Sequence, residues 1–64
     1  NYTQAELHYE HLVQNYPEMV SYSLNMGMTK QKLKKKKEAD KIFDEVIAKD
    51  STYKSTIEIF KENN

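Results

Sequence analysis

The chain repeats itself at an offset of 34 residues. Ala5 recurs as Ala39, Tyr9 as Phe43, Leu12 as Val46 and Val13 as Ile47. Around these, Asn1-Tyr2-Thr3-Gln4-Ala5 lines up with Lys35-Lys36-Lys37-Glu38-Ala39, and Asn15-Tyr16-Pro17 with Lys49-Asp50-Ser51. A fixed period of this length marks supersecondary units that stack, because one unit alone cannot bury its apolar face. Such arrays present extended binding surfaces, so a partner-holding role is expected ahead of chemistry.

The spacing within each copy is helical. Ala5, Tyr9, Leu12 and Val13 fall on one stripe of a helix from about Thr3 to Asn15. Thr3 is placed to cap it, and Glu6 would complete a capping box. Pro17 ends it and suits the first turn of a second helix, where Glu18 complements the helix dipole. Met19, Val20, Tyr22, Leu24, Met26 and Met28 supply that second helix with apolar surface as far as about Leu33. Gly27 lies inside it at a cost of about 1 kcal/mol relative to Ala. That cost points to another backbone passing close by.

A third helix from about Lys35 to Lys49 carries Ala39, Ile42, Phe43, Val46 and Ile47. Ser51 or Thr52 then caps a fourth, from about Tyr53 to Glu62, with Ile57, Ile59 and Phe60. Short connections force neighbouring helices antiparallel. The expected fold is therefore all-α, about four helices in antiparallel helix-turn-helix repeats.

Size bounds the rest. A chain of about 60 residues buries only about 60% of its unfolded surface. The 64 residues include no cysteine, so neither a disulfide nor a thiolate zinc site supports the core. That absence fits a reducing cytosol, and a cytoplasmic setting is expected. No apolar run approaches the ~18 residues of a membrane span, and no basic-then-apolar leader opens the chain. Lacking an initiator Met, the sequence is expected to be an excerpt of a longer protein or a processed form.

The zero net charge conceals segregation. Residues 1–29 carry −3, residues 30–41 carry +5 and residues 42–64 carry −2. All ten basic residues are lysines.

Taken together, these residues resemble the tetratricopeptide repeat family, whose unit is two antiparallel helices in about 34 residues. The best-matching full unit runs from Val20 to Tyr53. Gly27 matches the family's small residue in the first helix, with the large apolar Met26 before it. Ala39, Phe43 and Val46 match the small, aromatic and apolar sites of the second helix. Asp50-Ser51 stands where Asp-Pro is frequent. The resemblance implies three segments: residues 1–17 as the second helix of one repeat, 18–52 as a full repeat, and 53–64 as the first helix of the next. Departures occur at Ser23 and Lys30, where the family favours aromatics, and at Lys34 and Lys36, which replace the Gly and Tyr of the inter-helix turn. A loose turn or longer helices are expected there.

In the family, first helices line a concave face. By resemblance, Ser21, Leu24, Asn25, Met28, Gln31 and Lys32 would line it, extended by Ser55, Glu58, Ile59 and Glu62. Met28 is expected in this groove and Met26 in the core beside Gly27. Asn25 matches an asparagine that some members use to grip chaperone carboxylate tails, but Ser55 and Ile59 stand where that clamp needs cations. The implied role is a protein-interaction scaffold that binds a partner peptide or helix and stacks on neighbouring repeats or on itself. An alternative is a structural piece of a large assembly, similar to ciliary transport subunits.

A further alternative uses the basic patch Lys34, Lys35, Lys36 and Lys37, with Lys30, Lys32 and Lys41 nearby, to bind nucleic acid or an anionic surface. The patch lacks arginine for bidentate phosphate contacts and aromatics for base stacking. A solvated turn is the favoured reading, and nucleic acid is not expected as the partner. His8 and His11 could share a metal ion, yet no third well-spaced ligand accompanies them. Asp40, Asp44 and Glu45 read as a solvated helix face rather than acid–base machinery. No nucleophile motif, phosphate loop or calcium loop is present. Neither an enzyme nor a cofactor is expected.

Overall fold

The computed structural model describes residues 1–63. Among these, four α-helices form and no strand. They are α1 (Tyr2–Asn15), α2 (Val20–Lys32), α3 (Lys36–Lys49) and α4 (Lys54–Glu62), with a single 3-10 turn, Ser51–Tyr53, before the last. Asn64, the end of the expected third segment, lies outside the described residues.

The ends of the helices depart from expectation for local reasons. Asn1, not Thr3, caps α1: its Oδ1 accepts from Thr3 N–H at 2.9 Å and Gln4 N–H at 3.2 Å. The helix thus begins earlier, and Glu6 is buried instead of closing a capping box. Pro17 does not enter α2. It takes the second position of a four-residue turn closed by Met19 N–H donating to Tyr16 O at 3.0 Å, which suits its fixed φ. Asp50, rather than Ser51 or Thr52, caps the last segment by accepting from Thr52 N–H at 3.0 Å. The Thr52 hydroxyl and N–H together hold the Asp50 carboxyl below its ordinary pKa.

The α2–α3 turn is closed tightly. Lys34 adopts φ 65°, the left-handed conformation that glycine takes at such a site. Lys35 N–H donates to Lys30 O at 2.9 Å and Lys34 N–H to Gln31 O at 3.0 Å, forming a Schellman motif. The expected looseness is therefore absent; a lysine bears a strain that a glycine would avoid.

Neighbouring helices run antiparallel, as their cross-contacts show. The start of α1 meets the end of α2 through Glu6 and Lys30, and their other ends meet where Tyr16 and Tyr22 lie edge to face at 6.2 Å. The end of α2 meets the start of α3 through Lys30 and Glu38. The end of α4 returns to the start of α3 through Lys61 and Asp40.

The core centres on α3. Ala39, Phe43 and Val46 are essentially inaccessible, joined by Leu24 from α2 and Ile57 from α4. Val20, Met28, Ile42, Ile47, Tyr53 and Phe60 pack around them. Both methionines are half-buried; Met28, expected in the groove, packs on the core, and Met26, expected in the core, lies outside that set. Gly27 sits against Phe43, and a Cβ built on it would lie 2.7 Å from the ring. The glycine thus makes room for side chains of α3, Phe43 and Ile42, rather than for the passing backbone expected from the sequence. By contrast Ala5, Tyr9, Leu12 and Val13, the earlier copies of the α3 stripe, are only half-buried.

Candidate functional site

Lys30 is only 6% exposed. Its Nζ lies 2.9 Å from Glu6 Oε2, 2.9 Å from Glu10 Oε2 and 3.3 Å from Glu38 Oε1. Lys35 Nζ also reaches Glu6, at 2.8 Å. Burial alone would lower the Lys30 pKa, but hydrogen bonds to Glu10, Glu6 and Glu38 outweigh it and raise it above the ordinary lysine value. Lys35 and Lys30 in turn hold the Glu6 carboxyl below its ordinary pKa, against the effect of burial. Glu6 is the buried residue of α1, so charge joins the half-buried Ala5, Tyr9, Leu12 and Val13 in docking this helix.

The ion-pair cluster reorganises the basic run. Lys34 to Lys37 are all exposed, and together with Glu38 they line one shallow depression. Lys30 and Lys35 are drawn toward the acids of α1 and α3. Lys34 and Lys36 also line a cleft of about 340 Å³ with Gln31, Asp40 and Lys61. Lys61 Nζ lies 3.3 Å from Asp40 Oδ1 and 5.4 Å above the Phe43 ring. Lys32, expected on the groove, is exposed on α2 with its Nζ 5.6 Å over Phe60 of α4.

The other expected groove residues divide by exposure. Ser21, Asn25, Met28 and Lys32 share one face of α2 by helical spacing. Ser21, Asn25 and Gln31 are half-buried; Ser55 and Ile59 are exposed on α4, Ile59 at 59%. Leu24, expected on the same open face, instead belongs to the core. Lys32 over Phe60, and Gln31 and Lys61 around one cleft, bring the C-terminal halves of α2 and α4 together.

His11 Nε2 lies 2.8 Å from Asn15 Nδ2, and His8 stacks obliquely on Tyr9 at 5.5 Å. Among the described residues no three His, Cys, Asp or Glu side chains gather as metal ligands would. Asp40 is ion-paired with Lys61, and Asp44 is exposed. No described helix is long and apolar enough to cross a membrane.

Sequence reasoning missed Glu6, Glu10, Glu38 and Asp50 as organisers. Two signals pointed to the first pair. Glu6 and Glu10 stand four apart beside the α1 stripe, and Lys30 is a charge on a half-apolar helix. No family model, curated protein or solved structure matches the chain.

Proposed function

We propose that this chain is part of a tetratricopeptide-type helical array, a protein-interaction scaffold that holds a partner peptide or helix against α2 and α4. The observation that carries the proposal is the contrast between two copies of one stripe. Ala39, Phe43 and Val46 of α3 are closed over by helices on both sides in sequence, while Ala5, Tyr9 and Leu12 are covered only in part. The half-covered copy is what an internal unit looks like without its neighbour.

Ion pairs between successive helices support the same reading. Glu6 and Glu10 of α1 grip Lys30 of α2, and their counterparts 34 residues on are Asp40 and Asp44. Asp40 of α3 pairs with Lys61 of α4, which stands at the offset of Gly27 and not of Lys30, so the acidic side of the contact recurs and its lysine comes from another turn. The basic-patch alternative is weakened, because Lys30 and Lys35 already have carboxylate partners.

Selection from a random peptide library on the immobilised chain tests the proposal. Selected peptides should lose affinity on Asn25→Ala with Ser55→Ala while helix content is unchanged. Peptides insensitive to those changes, or an absence of peptide binders beside tight nucleic-acid binding, would overturn it.

A further inference from the structure

The first helix carries a seam that its own fold leaves open. Tyr2, Ala5, Tyr9, Leu12 and Tyr16 follow one another at alternating intervals of three and four residues. That spacing keeps side chains on one line of contact between two helices. Tyr2 is 53% exposed, and Ala5, Tyr9 and Leu12 are half-buried. Ala39, Phe43 and Val46, their neighbours' copies 34 residues on, are inaccessible, with Gly27 of α2 and Phe60 of α4 against the Phe43 ring. The same surface is therefore closed on α3 and open on α1. Its residues also bear on what closes it. No seam side chain is charged at neutral pH. The acids beside the seam are engaged elsewhere: Glu6 and Glu10 hold Lys30, and Glu6 also holds Lys35. Nothing on the seam repels an identical surface, and nothing on it calls for a charged partner.

We infer that this flank of α1 is a homodimer interface, on which α1 packs antiparallel against α1 of a second copy. Tyr2 then faces Leu12 of the second copy, and Ala5 faces its Tyr9. Tyr16 already lies edge to face with Tyr22, so the register is drawn toward the more exposed Tyr2 end. The direction follows from size. Antiparallel helices set small Ala5 against a large ring, so the layers interdigitate. A parallel pair would set tyrosine on tyrosine and alanine on alanine. The other helices of a second copy are unsuited to the role. Its α2 is occupied, since Gly27 there already receives Phe43 of α3. Its α4 has Lys61 at the offset of Gly27, so it cannot cover α1 as α2 covers α3. The inference starts from the half-covered stripe that also carries the scaffold proposal, and it names a second copy as what covers that stripe.

Sedimentation equilibrium of the intact chain over a concentration series tests this, with circular dichroism to confirm that each variant stays helical. Wild type should sit in a monomer–dimer equilibrium. Tyr2→Glu and Leu12→Lys should each weaken the dimer about tenfold or more, because each sets an unpaired charge into an apolar seam. Tyr2→Glu leaves folding intact, since Tyr2 is exposed and an acid in the first turn favours the helix. An equimolar mixture of the two variants should regain dimer, and so should the double variant, because carboxylate and ammonium then face each other across the pair. Leu7→Glu alters an exposed residue of α1 off the seam and should leave the dimer unchanged. A dimer broken by Leu7→Glu and not by Tyr2→Glu would overturn the inference, as would failure of both the mixture and the double variant to recover. A wild type that stays monomeric would also overturn it. If that monomer still selects peptides through Asn25 and Ser55, this inference alone is wrong. If it selects none, the scaffold proposal falls with it.

Discussion

Gly27→Ala should destabilise the fold even though alanine is the better helix former. The new Cβ would lie 2.7 Å from Phe43 Cε1, 3.0 Å from Phe43 Cδ1 and 3.2 Å from Ile42 Cγ2. Carbon atoms prefer about 3.5–4.0 Å, so the ring must retreat by most of an ångström. It has little room, being inaccessible to solvent, edge-on to Phe60 at 6.1 Å and covered by Lys61 at 5.4 Å. Overpacking of this kind costs about 1–3 kcal/mol, against a helix-propensity gain of about 1 kcal/mol. The net loss should be about 1 kcal/mol in urea unfolding followed by circular dichroism. In a Phe43→Leu background the clash is relieved, and the same Gly27→Ala change should become neutral or stabilising. A wild-type background in which Gly27→Ala gains the full propensity term would show that α2 and α3 do not approach here.

Three other outcomes are expected. Lys34→Gly should stabilise by about 0.5–1 kcal/mol in the same urea assay, because the left-handed φ of 65° penalises lysine more than the extra unfolded-state freedom penalises glycine. Lys30→Met should cost about 1–3 kcal/mol, less than a fully buried pair, since Glu6 keeps Lys35 and the other two carboxylates are half exposed. Hydrogen exchange should show α1 loosened first in that variant. The pH dependence follows from the same cluster: the lowered Glu6 pKa gives stability above the ordinary carboxylate range that is lost as pH falls below about 4, and the raised Lys30 pKa gives stability lost only above about pH 10.4. Thermal melts across pH check both edges; loss of structure near pH 6 would contradict the assignment.

Helix number, approximate spans and the α3 stripe were legible because they rest on local periodicity. Ala39, Phe43 and Val46 are buried on the stripe that helical spacing predicts, whereas Gly27 meets the Phe43 side chain and not the backbone it was expected to admit. Caps were less legible, since Asn1 competes with Thr3 and Asp50 with Ser51, and each pair differs by small energies. The Lys30 cluster was not legible as a run. Its partners lie 24, 20 and 8 residues away, and only the antiparallel pairing of α1, α2 and α3 brings them together. Nor could spacing assign Met26 and Met28, which differ by two positions on a helix that has neighbours on more than one side. The candidate groove inherited that ambiguity, and Leu24 went to the core for the same reason.

Chemical-shift mapping of the ¹⁵N-labelled chain with a library-selected peptide tests the partner-holding scaffold most directly. Perturbed amides should cluster at Ser21, Asn25 and Gln31 on α2 and at Ser55 and Ile59 on α4. Perturbations confined to Leu7 of α1 and Met19 of the turn before α2, or to the solvated lysines Lys37 and Lys41, would contradict a groove between the two helices.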